Sequence, residues 1–404
     1  MLQVKFHRRL SVSIIAIVIA GLFFSSCTEL PPGPGYEGEV RDYVITPGHD
    51  TLQPFNDITA VELTSQIKVG WNLGNTFDAH GNSAVGFNWL GGGVYANTTV
   101  PEMEAAWVGR VTTKANIDTI KNAGFNAIRI PVTWYKAVNK DFIIREDWLK
   151  RVTEVVNWAE ANDMYIFINS HHDEEIFKYT DGNVNISLAR FGRLWEQIAV
   201  QFQNYNEKLI FEALNEPRTI GAAHQWTGGN NEERANLNKH YQLFVDTVRA
   251  SGGNNDKRIL MVNTYAASAE QVAINGLTVP ADIAPNKIIV SIHSYAPFLY
   301  AHEVPGDPTW EPRASDITTV MIRAYNAFVS KGIPVIMGEF GSRREKDGPI
   351  RDAWAEFYVS SAREYGIPCI LWDDHGWFRL LERSTNTFNS DSYLAALMRG
   401  AGIE

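Results

Sequence analysis

From Ile67 onward, short apolar, β-rich runs alternate with longer stretches in which apolar residues recur at helical spacing, the pattern of repeated βα units. Eight runs stand out: Val69–Leu73, Ala127–Val132, Tyr165–Asn169, Leu209–Leu214, Ile259–Val262, Ile288–Ile292, Val335–Met337 and Cys369–Trp372. Several are unbroken apolar blocks without polar alternation, as parallel strands covered on both faces require. Between them, Val111–Ala123, Trp148–Asn162, Ser187–Asn204, Asn236–Ala250, Ile317–Lys331 and Asp352–Tyr365 read as helices. Gly124, Gly332 and Gly366 stand where a left-handed residue closes a helix. Eight strands with intervening helices predict an α/β fold, a (β/α)8 TIM barrel over residues 51–404, with an open doubly wound sheet as the second choice. No internal repeat and no heptad pattern competes with this reading.

Composition narrows the ligand. The 404 residues carry 36 Lys+Arg against 46 Asp+Glu, a net charge of −10, and 45% are apolar. That balance excludes a disordered chain, and the spread of acidic residues argues against nucleic acid or an anionic membrane surface as the main ligand. The 12 Trp are a heavy use of a flat apolar face that suits large neutral ligands, although most Trp are expected in the core.

Ahead of the barrel, Lys5, Arg8 and Arg9 precede Ser11 to Phe24, an uncharged, mostly apolar run of 14 residues. It is too short for a bilayer span of about 20 residues and reads as an export signal over residues 1–26. The run ends in Phe24-Ser25-Ser26-Cys27, which resembles the lipobox of bacterial lipoproteins. Cys27 is therefore expected to be a lipidated N-terminus holding the protein on the bacterial cell envelope. Cys369, the other cysteine, sits in an apolar run, so no disulfide is expected. Residues 27–50, with Pro31, Pro32, Pro34 and Pro47, read as a tether. Within it Gly33-Pro34-Gly35-Tyr36-Glu37-Gly38 matches the letters of a dinucleotide fingerprint, but neither a strand before it nor a helix after it supports that use.

Polar residues follow the apolar runs. The first ends in Trp71-Asn72, the second contains Arg129 and leads to Trp134, and the third runs into His171-His172-Asp173. The fourth gives Asn215-Glu216-Pro217, the sixth His293-Ser294-Tyr295, the seventh Gly338-Glu339-Phe340-Gly341 and the eighth Trp372-Asp373-Asp374-His375-Gly376. A closed barrel brings these ends to one face, where barrel enzymes place their sites. Glu216 and Glu339, from strands on opposite sides of the mouth, can face each other across a substrate, as glycosidic cleavage needs. Arg129 can reach inward and keep a neighbouring carboxylate ionised, and Trp372 can offer a face to a sugar ring.

The set GWNLGN, RIPVTW, the doubled His after strand three, LNEP, HSY, GEFG and the Trp closing strand eight resembles glycoside hydrolase family 5, a family of endo-β-1,4-glucanases. The resemblance runs from about residue 58 to the C-terminus. It implies retaining, endo-acting hydrolysis of cell-wall β-glucan such as cellulose, xyloglucan or mixed-linkage glucan, without cofactor or metal. It assigns Glu216 as acid/base, Glu339 as nucleophile and Asn215 as the amide on the sugar 2-hydroxyl. Arg129, His171 or His172, His293, Tyr295 and Trp372 fill the active-site shell, with Asn72 and Trp134 as supporting residues. Strand eight departs from the family's usual Trp-Asp-Asn-Gly at Asp374 and His375, which leaves their contribution open. A β-1,4-mannanase of the same fold is the near alternative, and a non-catalytic glycan-binding lipoprotein the distant one. The adjacent pair His171-His172 lacks a further His at helical spacing, so a metal centre is not expected. No strand end shows the Lys an aldolase would need. A monomer is expected, with β-glucan as partner and the membrane engaged only through the N-terminal lipid.

Overall fold

A computed structural model of the chain describes residues 45–80, 98–139, 141–174 and 176–403. The export signal, Cys27 and most of the tether lie outside the described residues. Eight strands form the centre: β1 (Val69–Asn72), β2 (Ala127–Ile130), β3 (Tyr165–Asn169), β4 (Leu209–Glu212), β5 (Leu260–Ser268), β6 (Ile288–His293), β7 (Val335–Phe340) and β8 (Cys369–Leu371). They close in sequence order into one barrel, and β8 pairs in parallel with β1, Val69 opposite Cys369.

Side chains alternate between two apolar layers, as a pleated strand dictates. Ala127, Phe167, Ile210, Met261, Ile289, Ile336 and Ile370 form an inner cluster, sealed at one end by Ala60 and Leu63 of the helix Ala60–Gln66. That helix starts in a capping box between Thr59 and Glu62. Ile128, Ile166, Phe211, Val262, Val290 and Met337 point outward into the larger cluster beneath the surrounding helices. Trp148, Trp195 and Trp354 are fully buried there. Gly124, Gly332 and Gly366 have φ of 107°, 80° and 70°, the conformation their helix-closing reading requires.

Two features depart from the sequence reading. The tether read to Asp50 gives way to folded chain from Ile45, which packs against the barrel; Gly48 N donates to Gln201 O at 2.7 Å and His49 Nε2 contacts Glu160 Oε2 at 2.8 Å. Pro and Gly made the composition look like linker, but the backbone of Gly48 and the side chain of His49 find partners on the helices around the barrel. The second departure is an irregularity in β7. Ile292 pairs with Met337 while His293 pairs with Glu339, so Gly338 and Glu339 together oppose one residue. In a regular strand Glu339, three residues beyond inward-facing Ile336, would point outward; the bulge turns it inward.

Candidate active site

The C-terminal ends of the strands gather the polar residues into one cavity mouth, built around Arg129. Its guanidinium is fully buried and joins four side chains. Nε donates to Glu212 Oε2 at 2.6 Å and Nη2 to Glu212 Oε1 at 3.2 Å. Nη1 donates to Asn72 Oδ1 at 3.0 Å and Glu339 Oε1 at 2.8 Å, and Nη2 to Asn215 Oδ1 at 2.8 Å. Asn72 is fixed in turn by donating to the carbonyls of Gly338, Ile370 and Leu371. With its oxygen committed to Arg129, Asn215 offers its amide N–H groups to a ligand.

Glu339 accepts a second bond from the Tyr295 hydroxyl at 2.9 Å. Glu216 is met by His293, whose Nδ1 lies 3.0 Å from Glu216 Oε1 and 3.7 Å from Glu339 Oε2. One oxygen of each glutamate and a nitrogen of His293 all lie within 4.8 Å of one another. Gly338 makes room for this imidazole: a Cβ there would come within 2.9 Å of His293 Nε2 and 2.5 Å of Ser291 Oγ.

The two carboxyls are shifted in opposite directions. Burial pushes Glu216 up, but the hydrogen bond from His293 and the charges of His293, Arg218 and Arg129 outweigh it and hold this carboxyl below its ordinary value. On Glu339, burial outweighs the charges of His293 and Arg129 and leaves the carboxyl raised. The two carboxyls are thus held at different proton affinities around one shared neighbour, His293 Nδ1, 3.0 Å from Glu216 Oε1 and 3.7 Å from Glu339 Oε2. Glu339 keeps two donors of its own, Arg129 and Tyr295, which suits a nucleophile, and Glu216, whose side chain is the more exposed of the two, is left as the carboxyl that can give a proton.

The remaining sequence-predicted residues sort by depth. Trp372 stacks parallel to His171 with ring centres 5.8 Å apart and is 9% exposed, at the pocket wall. Gly74 of GWNLGN permits this, since a Cβ there would sit 2.8 Å from the Trp372 ring. His172 is partly exposed, against Glu174 and the rings of His80 and Trp107. Burial holds both His171 and His172 well below the ordinary range, so they are neutral. Trp134, expected as a supporting residue, is fully buried, and its indole donates to Asn169 O at 2.8 Å, bracing β3 from behind. Asp374, left open by the sequence, accepts backbone N–H groups of Gly376, Trp377 and Phe378 and shapes the loop after β8.

Sequence reasoning missed Glu212, hidden inside the apolar run of β4, where a buried acid signals a buried cation. It also missed Asp373, which accepts from the Trp71 indole at 3.0 Å and from Leu380 and Leu381 N. Asp78, His171 and His172 bring ligand-type atoms within 4.8 Å of one another. Asp78 already accepts from the backbone of Asn75 and Thr76 at 2.9 and 2.6 Å, and buried Lys136 supplies a cation there. Burial moves the two in opposite directions, Asp78 up to about 6 and Lys136 down to about 7. The protein's own donors therefore serve this carboxylate.

A closed parallel barrel with two glutamates this close across its C-terminal mouth is the constellation of a retaining glycoside hydrolase. The profile of the cellulase family, glycosyl hydrolase family 5, matches residues 91–376, and the chain belongs to that family. It is similar to the cellulase/esterase CelE of Acetivibrio thermocellus, 36% identical over 97% of this chain and 47% of the relative. Endoglucanase A of Clostridium longisporum is 38% identical over 85% of this chain and 66% of its own length. The chain thus spans just under half of the first relative and just under two thirds of the second. Among solved structures, a broad-specificity endoglucanase from Ruminococcus champanellensis with bound cellotriose superposes with a TM-score of 0.81 at 40% identity, covering 86% of this chain and all of its own.

Proposed function

We propose that this protein is an endo-acting β-1,4-glucanase that cleaves cell-wall β-glucan by double displacement. The observation that carries the reading is the pair of glutamate oxygens within 4.8 Å. That is close to the about 5–5.5 Å of retaining enzymes and below the about 6.5–9.5 Å that holds a water in inverting ones. Glu339, in its ionised form and oriented by the Arg129 and Tyr295 donors, attacks the anomeric carbon, and Glu216, in its protonated form, gives its proton to the departing glycosidic oxygen. A covalent glycosyl-enzyme forms. Glu216, now a carboxylate, takes a proton from water, which attacks the same carbon and frees Glu339. The Asn215 amide donates to the sugar 2-hydroxyl, and Trp372 lines the bound ring. The bound cellotriose of the Ruminococcus champanellensis relative and its description as broad-specificity support a β-1,4-glucan backbone.

The test is a substrate panel of carboxymethyl cellulose, xyloglucan, mixed-linkage glucan and mannan, with NMR of the anomeric proton during the first minutes. The β-anomer should appear first from the glucans. An α-anomer first would exclude double displacement, and mannan cleaved in preference would favour the mannanase. The basic residues and apolar run before Cys27 support export and a lipid anchor on the cell envelope. Cys27→Ser should then release the protein from membranes, and a soluble wild-type chain with an unmodified N-terminus would overturn the anchor.

A further inference from the structure

Two residues beyond the acid/base, Arg218 folds back toward it. Its Nη1 donates to the Glu216 carbonyl at 2.7 Å and to Glu174 Oε1 at 2.8 Å, and lies 3.7 Å from Glu216 Oε2. Glu174, from the loop after β3, is only 5% exposed. Trp226 lays its ring over the guanidinium at 4.2 Å while remaining 52% exposed itself. The cation is thus fixed by its own loop, by a carboxylate from another loop and by an indole face that keeps water from one side.

We propose that Arg218 is a positioning residue for the acid/base Glu216, locked by Glu174 and covered by Trp226, and that it stabilises the negative charge left on Glu216 when the proton departs. The proposal rests on the glycosidase reading. Glu216 is neutral before proton transfer and anionic after it, so a fixed cation at 3.7 Å favours the later state and makes the carboxyl a stronger acid. Other groups also face Glu216: His293 of β6, Glu339 of β7, Arg129 of β2 and Tyr295 beyond β6. Glu339 works against donation and Arg129 with it. On the far side, Glu174 and His172 face Arg218, and burial pushes the Glu174 carboxyl up to about 7. Arg218 is the one cation in this set carried by the acid/base's own loop.

The experiment compares pH profiles of kcat/KM for the full chain and Arg218→Met on carboxymethyl cellulose and on an activated aryl cellobioside. In Arg218→Met the basic limb should move to higher pH. Turnover of the unactivated glucan should fall roughly tenfold or more, while the aryl glycoside, which needs little protonation, changes far less. Arg218→Lys should return part of the limb position. Trp226→Ala, at an exposed position, should shift the limb the same way by less, and it keeps the idea testable if Arg218→Met does not fold. A folded Arg218→Met with an unmoved basic limb, or with equal losses on both substrates, would overturn the proposal. A wild-type chain that cleaves no glucan would instead sink the glycosidase reading itself.

Discussion

Arg129→Met tests the centre of the site. Arg129 and Glu212 are both fully buried, and the arginine donates twice to that carboxylate, at 2.6 and 3.2 Å. Without the arginine, Glu212 keeps the Asn263 amide at 2.9 Å as its side-chain donor. Removing one partner of a buried pair costs about 3–5 kcal/mol. Unfolding a body of this size has an entropy of roughly 0.8 kcal/mol per degree. The melting temperature should therefore fall by about 4–6 °C. Glu339 also loses its 2.8 Å donor. Burial already raises this carboxyl and the Arg129 charge opposes that rise, so deleting the charge raises it further. Because the nucleophile must be ionised, the acid limb of kcat/KM should move to higher pH, and activity should drop by about 10²–10³. The double variant Arg129→Met/Glu212→Leu replaces the pair with apolar neighbours and should recover the melting temperature without activity. Thermal denaturation and a pH profile read both effects. An unmoved acid limb in the single variant, or activity returning with stability in the double, would show that Arg129 merely holds the wall together.

Glu339→Ala should lose several orders of magnitude in turnover with an unchanged circular dichroism spectrum; activity near wild type would remove it as nucleophile. Glu216→Gln should impair substrates with poor leaving groups far more than activated aryl glycosides, and equal losses would assign it another task. Gly338→Ala puts a methyl within 2.9 Å of His293 Nε2. It should cost about 1–3 kcal/mol in denaturant unfolding and lower kcat as His293 shifts off Glu216; a stable, fully active variant would show that the close approach is not needed.

Much of the architecture is legible in the chain because each βα unit repeats the same local physics. All eight apolar runs became strands, and the three glycines ended helices where a left-handed residue was needed. The site residues were legible as polar groups interrupting apolar runs at strand ends. What escaped was partnership at a distance. Glu212 meets Arg129 only because β2 and β4 face the same interior, 83 residues apart in sequence. Glu174 and Arg218 meet from separate loops, 44 residues apart. Periodicity also cannot tell how deep a Trp lies: Trp134 is fully buried while Trp372 keeps 9% of its surface exposed.

The extra residue in β7 has a meaning for height as well as for direction. Each strand residue advances about 3.3 Å along its strand, a step as large as the separations on which bond-making depends. By setting Gly338 and Glu339 against the single position of His293, the bulge works as a spacer that brings the nucleophile level with the imidazole and, through it, with Glu216. Copying the two glutamates onto the regular strands of another barrel would reproduce their identities and miss their elevation. A transplant of this chemistry must carry the irregularity along with the carboxylates.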